Sequence, residues 1–470
     1  MADMNGTGVN SEGKKIWSVN GLVYTLGGLV ALFALMTVCD FTWAMKDRSV
    51  GMITKLMLKQ FGASDKLNGL LVVSVPSLMG LVISPIISYR SDRHRGRLGR
   101  RVPYLLCTLP IVVAGMIGMG FSPTVGEWLE KLVGHLPVFQ GEGGFDVNRA
   151  TLFSIGFFWI VFELGMIVAN TVFIAFVNDV VPKAVIGRFM SCFRIVSLAA
   201  GVIFSWWMLG WLEDHNAYLL LYFGVAMLYT AGMVAMCIFV KEGTYPPPPA
   251  PVAGETKFRA IAATKTYFQE CYTHPYYLLM FLAFLLFAIY AMPVNTYLVF
   301  YAQSLNLSLK VYGKYISYSF IVSGCLAFPL GWLADRFHPL RCSLVVLVLY
   351  AVGAVYCALT IHDELTFGIA VLCHSILSGS FATISASLRM RLLPQDRFAQ
   401  FSSAAGLISS LVNAGLVPLV GWILDCSGSD YSLLYWFNGG LAAVALLVGL
   451  ALYTQFHRYG GVKNYVAPSV

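Results

Sequence analysis

Ionisable side chains interrupt several long apolar runs of this 470-residue sequence. Glu163 lies in the middle of one run, and Arg194 lies about two turns into the next. A charge inside an apolar spanning segment costs about 3 kcal/mol on insertion scales, so such a group generally faces water or an opposite charge. A poorly solvated carboxylate close to a cation can bind and release a proton. We therefore predict a proton-coupling set in which Glu163 is the first candidate and Asp40 the second, followed by Arg194, Asp47 and His374.

Two of these assignments have a purely structural alternative. Counting a rise of about 1.5 Å per residue from opposite helix ends places Glu163 and Arg194 within roughly 5–10 Å in depth. A direct ion pair is therefore compatible with the sequence, and it could be a static tie between two helices rather than a coupling site. His374 is the only histidine inside an apolar run. A lone histidine there is more often a hydrogen-bonded core residue, although its titration near neutrality suits proton movement.

A second group of polar residues surrounds a proline in the seventh apolar run. Pro293 predicts a break that opens backbone carbonyls, and it is flanked by Tyr290, Asn295 and Tyr297. Sugar binding requires many hydrogen-bond donors and acceptors and an aromatic plane for the C–H face of the ring. The cluster therefore predicts a sugar-binding site, which Asn413 and Trp43 could complete. Each of these residues taken alone is more typical of helix packing.

The composition identifies the solvent of these helices as lipid. Hydrophobic residues make up 58% of the chain and charged residues only 11%, with a mean hydropathy of +0.73. Soluble enzymes and disordered or disulfide-stapled secreted proteins are excluded, because too little polar surface is left to face water. The ten cysteines lack metal-ligand spacing. Nucleotide-binding, zinc-hydrolase and serine-hydrolase motifs are also absent, so we expect neither an enzyme nor a cofactor.

Twelve apolar runs are long enough to span a bilayer. Most of the 31 lysines and arginines fall in alternate loops, which places both termini in the cytoplasm and explains the net charge of +8 without nucleic acid. Helix 1 could end near Met45, or it could continue to about residue 60, and we favour the long form. The approximate runs are 21–44, 67–89, 102–121, 151–177, 189–211, 217–240, 275–302, 315–334, 342–361, 366–388, 398–424 and 431–456.

The runs divide six plus six around a proline-rich segment. Pro246–Pro249 predict a stiff linker, and residues 256–273 predict an amphipathic surface helix. An Asp-Arg pair follows both the second and the eighth run, which indicates two related halves. The predicted parts are a cytoplasmic tail 1–20, bundles 21–240 and 275–458, a linker 241–274 and a second tail 459–470.

The repeated Asp-Arg pairs predict a gate. Carboxylates and guanidinium groups at one mouth can pair when that side closes and separate when it opens. The alternative is that the basic loop serves only as a topology signal. The predicted gating residues are Asp92, Arg93, Arg100, Arg101, Asp335 and Arg336.

The loop motif resembles that of the major facilitator superfamily. Residues 89–103, YRSDRHRGRLGRRVP, are similar to the loop of sucrose/proton and glycoside-pentoside-hexuronide/cation symporters, and 41–45, FTWAM, resembles helix 1 of plant sucrose carriers with Thr42 in place of a glycine. The resemblance implies an all-α membrane protein with twelve transmembrane helices in two pseudo-symmetric six-helix bundles. It also implies a substrate role for Asn170 and a gating role for Asp179, although Asp179 could instead cap a helix.

These observations predict a secondary carrier with proton- or sodium-coupled symport of a sugar or glycoside. We expect a monomer in the plasma membrane, with lipid, the coupling ion and a small-molecule substrate as its only partners. One alternative is an exporter of a drug or metabolite that exchanges protons. Another is a receptor or assembly factor that retains the fold without transport, but intramembrane charges are costly to keep in a scaffold.

Overall fold

A computed structural model describes residues 6–9, 15–134, 145–214, 217–245, 267–394 and 397–468 of the chain. The chain divides into two compact units, Met1–Ala250 and Pro251–Val470, called unit 1 and unit 2 below. The proline stretch and most of the predicted amphipathic helix lie outside the described residues, and the helix is seen only over 267–272.

Twelve helices in the described part of the chain are long and apolar enough to cross a membrane. We number them helix 1 to helix 12. Unit 1 contains Leu26–Gln60, Asp65–Arg93, Val102–Gly120, Val147–Val180, Ile186–Glu213 and Ala217–Phe239. Unit 2 contains Pro275–Ser304, Leu309–Phe337, Pro339–Thr360, Glu364–Leu392, Phe398–Cys426 and Leu433–Arg458. The all-α membrane class predicted from hydropathy is therefore confirmed.

Helix 1 has the longer of its two predicted forms. It is continuous over 35 residues, which corresponds to about 52 Å. Thr25 caps its N-terminus, because the Thr25 hydroxyl accepts a hydrogen bond from the backbone N–H of Gly28 at 3.2 Å. No proline interrupts the segment, so nothing in its sequence ends it near residue 45. Asp40 and Asp47 consequently lie in the middle of a spanning helix.

A small antiparallel sheet precedes helix 1, and we did not predict it. Its strands are β1 (Gly6–Val9), β2 (Lys15–Val19) and β3 (Leu22–Tyr24). Gly6 pairs with Ser18, and Trp17 pairs with Tyr24. Asn20 and Gly21 form the tight β2–β3 turn with φ of +46° and +79°, a combination typical of a two-residue hairpin. The first apolar run is therefore part strand, and helix 1 begins at Leu26 rather than near residue 21.

Two spanning helices of unit 1 contain a widened turn. Residues Leu70–Ser74 of helix 2 and Phe204–Met208 of helix 5 are π-helical, and helix 5 ends in the 3-10 segment Leu209–Glu213. Widened turns release backbone carbonyls from the regular ladder. The Leu71 carbonyl accepts a hydrogen bond from the Trp159 indole at 2.8 Å, which ties helix 2 to helix 4.

Helices 3 and 4 pack closely because glycines lie at their interface. A Cβ atom on Gly115 would lie 2.7 Å from the backbone of Phe162, and one on Gly165 would lie 2.7 Å from the Val112 side chain. Small residues at such crossings allow backbones to approach within the bilayer. After helix 3, the amphipathic helix Ser122–Val133 packs on helix 4, where Gly126 meets Thr151.

In unit 2, helix 7 is broken where proline predicts it. Its two parts are Pro275–Ile289 and Met292–Ser304, and Pro293 occupies the first turn of the second part. Helix 10 is likewise interrupted between Ser385 and Leu388. Helices 8 and 11 remain continuous around Pro329 and Pro418. A short helix, Gly461–Asn464, follows helix 12.

The glycine contact between helices 3 and 4 can be tested by filling it. We expect Gly115→Val to destabilise the protein by about 1–3 kcal/mol, because the added atoms would overlap the Phe162 backbone. Thermal unfolding in detergent measures the effect. Gly224→Val is the matched control, since a Cβ there meets nothing within 4 Å. Equal melting temperatures for the two variants would contradict this packing.

Candidate functional site

Lys46, in the middle of helix 1, is completely buried within unit 1. Its ammonium forms an ion pair with Asp47 at 2.5 Å and lies 3.1 Å from the Met166 sulfur. The same nitrogen lies 4.5 Å from the Trp43 ring centre and 5.5 Å from that of Tyr229. Aromatic faces and a carboxylate together replace the water that this cation has lost. We did not predict Lys46 as a site residue.

Glu163 of helix 4 lies near this lysine. It precedes Met166 by one turn, so the two side chains share a helix face. The charges of Lys46 and Asp47 both act on Glu163, which is half-buried. Among the residues that the structure describes, Glu163 has no hydrogen bond and no ion pair shorter than 4 Å. The cation that interacts electrostatically with Glu163 is therefore Lys46 of helix 1, not Arg194.

The other charged candidates of unit 1 are dispersed around this centre. Asp40 is buried, has no hydrogen-bond partner in the described ranges, and is acted on by Asp47. Asp47 has a half-exposed side chain. Arg194 of helix 5 is exposed and forms no ion pair with any described residue, so the considered pair with Glu163 is not present. The positive charge of Arg194 instead repels the positive charge of Arg48.

The structure argues against sugar stacking on Trp43. Its indole is only 7% exposed, with the Lys46 ammonium on the ring and Phe173 stacked at 4.6 Å and an interplanar angle of 14°. No free face remains for a sugar in this structure. Asn170, in contrast, is exposed on helix 4, and its amide has no hydrogen bond to any residue of the described ranges.

In unit 2, Asn295 and His374 belong to one buried hydrogen-bond chain. His374 Nε2 lies 3.0 Å from Asn295 Oδ1, and His374 Nδ1 lies 2.6 Å from the Tyr350 hydroxyl. Asn438 donates to the Tyr350 oxygen at 2.7 Å and accepts from the backbone N–H of Val294 at 3.4 Å. The chain crosses helices 7, 9, 10 and 12, and it ends at the exposed Asn295.

The direction of these bonds makes His374 neutral. Because Asn438 donates to Tyr350, the Tyr350 O–H donates to Nδ1, and the proton on Nε2 is donated to Asn295. A second ring proton would face the Tyr350 oxygen and leave the Tyr350 O–H without an acceptor. His374 is therefore suited to the core role, and this geometry does not favour it as a proton carrier.

The remaining polar residues of unit 2 differ in their availability. The Tyr297 hydroxyl donates to the Val417 carbonyl at 2.9 Å, so it is occupied by packing. The Tyr290 hydroxyl and the Asn413 carbonyl oxygen are buried without a hydrogen-bond partner in the described part of the chain. Tyr290 lies at the helix 7 break. Among these three, only Asn295 is exposed to a ligand in this structure, whereas the unbonded oxygens of Tyr290 and Asn413 are buried.

Four of the predicted gating residues of unit 1, namely Asp92, Arg100, Arg101 and Asp179, form a compact cluster. Asp179 accepts from Arg100 at 2.6 and 3.0 Å and from Arg101 Nε at 3.0 Å. Arg101 also pairs with Asp92 and donates to Ser91. Burial lowers the pKa of Arg100, but the hydrogen bonds to Asp179 outweigh burial and raise it overall. Several nearly buried, multidentate bonds make this cluster much stronger than a surface ion pair.

Glu242, which we did not predict, completes this cluster. Its carboxylate accepts from three successive backbone N–H groups, those of Arg100 at 2.7 Å, Arg101 at 2.8 Å and Val102 at 2.7 Å. These groups begin helix 3, so the carboxylate neutralises the positive helix end. Gly99 has φ of +94°, and a Cβ there would lie 2.6 Å from the carboxylate. The Tyr245 ring covers Arg100 at 4.0 Å.

Two predicted gating arginines form no ion pair with a described residue. Arg93 stacks on Tyr89 at 3.6 Å, and Arg336 lies 5.2 Å from the Trp332 ring. Asp335 pairs with Arg391 at 2.5 Å, and its side chain is 74% exposed. The two Asp-Arg motifs are therefore alike in sequence but differ in strength, since an exposed single pair contributes about 0–1 kcal/mol.

The cap on helix 3 gives a local prediction. We expect Glu242→Ala to cost about 1–2 kcal/mol at the start of helix 3, because three backbone donors lose their acceptor. Hydrogen exchange of residues 100–105 should then be about tenfold faster. Lys241→Ala, at an exposed neighbouring position, serves as the control. The cap assignment fails if both variants exchange at the same rate.

The neutral hydrogen-bond chain around His374 predicts that glutamine can partly replace this histidine. His374→Ala should lower stability by about 1–3 kcal/mol, because Tyr350 and Asn295 lose a buried partner. His374→Gln supplies one donor and one acceptor, so it should recover part of that loss and leave the pH profile of uptake unchanged. The exposed His362→Ala is the control for stability. A pH optimum displaced by one unit in His374→Gln would instead indicate a proton carrier.

Comparison with known proteins places these features in a family. The Major Facilitator Superfamily model matches residues 32–414 and 279–464. Sucrose transport protein SUT5 of Oryza sativa subsp. japonica is 29% identical over 85 residues, which span 18% of this chain and 15% of that protein. Sucrose transport protein SUC3 of Arabidopsis thaliana is 28% identical over 135 residues, spanning 28% of this chain and 21% of that protein.

Solved structures agree on the fold. A crystal structure of a D-xylose-proton symporter has a TM-score of 0.59 at 13% identity, covering 89% of this chain and 96% of that one. At this identity the likeness concerns the fold alone. Because the family model covers most of the sequence and the chain has the expected twelve spanning helices, this chain belongs to the Major Facilitator Superfamily of membrane transporters.

Proposed function

We propose that this chain is a secondary active carrier that couples transport of a sugar or glycoside to proton movement by alternating access. The observation that carries the coupling is the position of Glu163, which is half-buried, lacks an ion pair with any described residue, and feels the charge of the buried Lys46. Such a carboxyl can gain or lose a proton at the cost of a local rearrangement only.

Lys46 supplies the element with two states. Its ammonium is already neutralised by Asp47 at 2.5 Å, so Glu163 can be protonated without leaving the lysine unpaired. Once ionised, Glu163 competes with Asp47 for the same ammonium. The Met166 sulfur is a weak acceptor and holds the ammonium lightly at 3.1 Å. Protonation of Glu163 would thus select the partner of Lys46 and the packing of helix 1 against helix 4.

The sugar assignment is supported by the relatives and by the polar atoms left available. The two plant relatives are named as sucrose transport proteins, and each shares about 28–29% identity over a limited segment. Tyr290, Asn295 and Asn413 in unit 2 and Asn170 in unit 1 present hydroxyl or amide groups within spanning helices. Neutral donors and acceptors of this kind suit sugar hydroxyls.

The basic loops support the proposed orientation in the membrane. With Arg100 and Arg101 among the many cationic groups between helices 2 and 3, the positive-inside rule places that loop and both termini in the cytoplasm. We assign the carrier to the plasma membrane as a monomer. The helix 3 cluster, built from Asp92, Arg100, Arg101, Asp179 and Glu242, would then stabilise the cytoplasmic end of unit 1.

Coupling can be tested in proteoliposomes. We expect substrate addition to alkalinise the outside medium and a pH gradient, rather than a sodium gradient, to drive accumulation. Glu163→Gln should reduce accumulation of the sugar at least tenfold. It should preserve exchange of labelled for unlabelled sugar, because the amide mimics the protonated acid. Glu127→Gln, on the exposed face of the Ser122–Val133 helix, is the matched control. Accumulation by Glu163→Gln at the wild-type level would remove Glu163 from the coupling mechanism.

A further inference from the structure

Basic residues gather at one end of the helices of unit 2. Arg341 lies in the first turn of helix 9, Arg391 at the end of helix 10 and His457 at the end of helix 12. All three act electrostatically on His338, which lies between helices 8 and 9, so they face one position. Asp335, which pairs with Arg391 at 2.5 Å, is the only carboxylate at these described helix ends. The position therefore has an excess of positive charge.

Arg341 is the cation with most of its donors unused. Its Nε donates to the Tyr453 hydroxyl at 2.6 Å, and the residue is exposed. It forms no ion pair with any residue in the described ranges. The remaining N–H groups of Arg341 are consequently available to an acceptor from outside unit 2, and the planar guanidinium fork matches the oxygens of a phosphate group.

His338 adds a buried donor that also lacks an acceptor. The residue is 7% exposed, and its Nδ1 accepts from the backbone N–H of Leu340 at 3.3 Å. Burial and the neighbouring charges of Arg391, Arg341 and His457 lower the pKa of His338 to about 4, so the ring is neutral at neutral pH. A neutral ring that accepts at Nδ1 carries its proton on Nε2. This N–H has no acceptor among the described residues, and a buried donor left unsatisfied is costly.

Unit 1 shows how the related helix ends are neutralised. Asp179 lies three residues before Pro182, at the end of helix 4, and accepts from two arginines. Arg391 lies three residues before Pro394, at the corresponding position of helix 10, so the charge is reversed. Unit 1 also supplies the Glu242 carboxylate to the start of helix 3, whereas the start of helix 9 receives a histidine nitrogen. The described part of unit 2 therefore has a cation in place of one carboxylate and no counterpart of the other.

We propose that Arg341, Arg391 and His457, together with the Nε2–H group of His338, bind the phosphate group of an anionic membrane phospholipid. These residues lie at the ends of spanning helices, which is the depth at which lipid headgroups lie. Anionic headgroups are attracted to such clusters of basic residues. The lipid phosphate would supply the negative charge that two carboxylates supply in unit 1. It would also accept the unsatisfied hydrogen bond of the histidine.

Binding can be measured with the purified full-length protein in detergent by native mass spectrometry. The probes are phosphatidylglycerol and phosphatidylcholine with the same acyl chains. We expect phosphatidylglycerol to bind at least tenfold more tightly, because choline neutralises the phosphate charge of phosphatidylcholine. Arg341→Gln should weaken phosphatidylglycerol binding about tenfold, as expected for a lost charged hydrogen bond. It should change phosphatidylcholine binding by less than about twofold, because the neutral headgroup depends little on the guanidinium.

His338→Asn is a second variant that separates the donor from the fold. Asparagine retains an acceptor for the start of helix 9, and it tolerates the φ of +76° at this position better than most residues. The substitution removes the Nε2 donor. Phosphatidylglycerol binding should therefore weaken at least threefold without a loss of thermal stability. Unchanged binding by His338→Asn would remove this histidine from the site.

The matched control is Arg188→Gln, at an exposed arginine near the start of helix 5 in unit 1, which should leave phosphatidylglycerol binding unchanged. Equal weakening by Arg188→Gln and Arg341→Gln would indicate general attraction of basic residues to anionic lipid and would overturn the site. Inorganic phosphate at millimolar concentration should not displace the lipid, and displacement would overturn the lipid assignment in favour of a soluble phosphate.

Equal binding of the two lipids by the wild type would also overturn the proposal. The proposed sugar transport does not depend on this site, so these outcomes leave it unaffected. If Arg341→Gln fails to fold, the selectivity of the wild type and the His338→Asn variant still decide.

Discussion

The interior of unit 1 depends on one constraint, which is that the Lys46 ammonium cannot lie in a bilayer span without local neutralisation. Asp47 neutralises the ammonium in an ion pair at 2.5 Å, and contacts with Trp43, Tyr229 and Met166 replace the water around the ammonium. These neighbours come from helices 1, 4 and 6. The lysine therefore determines what several residues on three helices must be, and it explains why Trp43 is occupied by packing.

A second set of charges follows different rules because it lies at the membrane edge. Asp179 and Glu242 together accept from two guanidinium groups and three backbone N–H groups, so each carboxylate satisfies several donors at once. Such multidentate arrangements hold a loop against three helix ends. The Asp335–Arg391 pair of unit 2 has one contact and a largely exposed carboxylate. Repetition of a motif in sequence thus does not imply repetition of its energetics.

Structural features that depend on a local sequence pattern could be predicted. Contacts between residues far apart in the chain could not. Hydropathy was sufficient for the twelve helices, and Pro293 for the break in helix 7. The first sheet was missed although its Asn20-Gly21 turn, flanked by apolar residues, is a standard hairpin signal. Glu242 accepts from groups about 140 positions away, which no spacing rule indicates. Lys46 was overlooked although the favoured long form of helix 1 places it in mid-span, because its contacts Met166 and Tyr229 lie on helices 4 and 6, far along the chain.

The distribution of polar groups then argues which unit can handle a proton. In unit 2, charged residues of the spanning helices lie close to the helix ends, and in the central chain from Asn438 through Tyr350 to Asn295 both ring nitrogens of the neutral His374 have a hydrogen-bond partner. Adding a proton there would break a bond without creating a partner. In unit 1, Glu163 and Asp40 lie in mid-span without hydrogen bonds to described residues. A proton added to either removes a buried charge and breaks no hydrogen bond, so the free-energy cost of protonation is lower in unit 1.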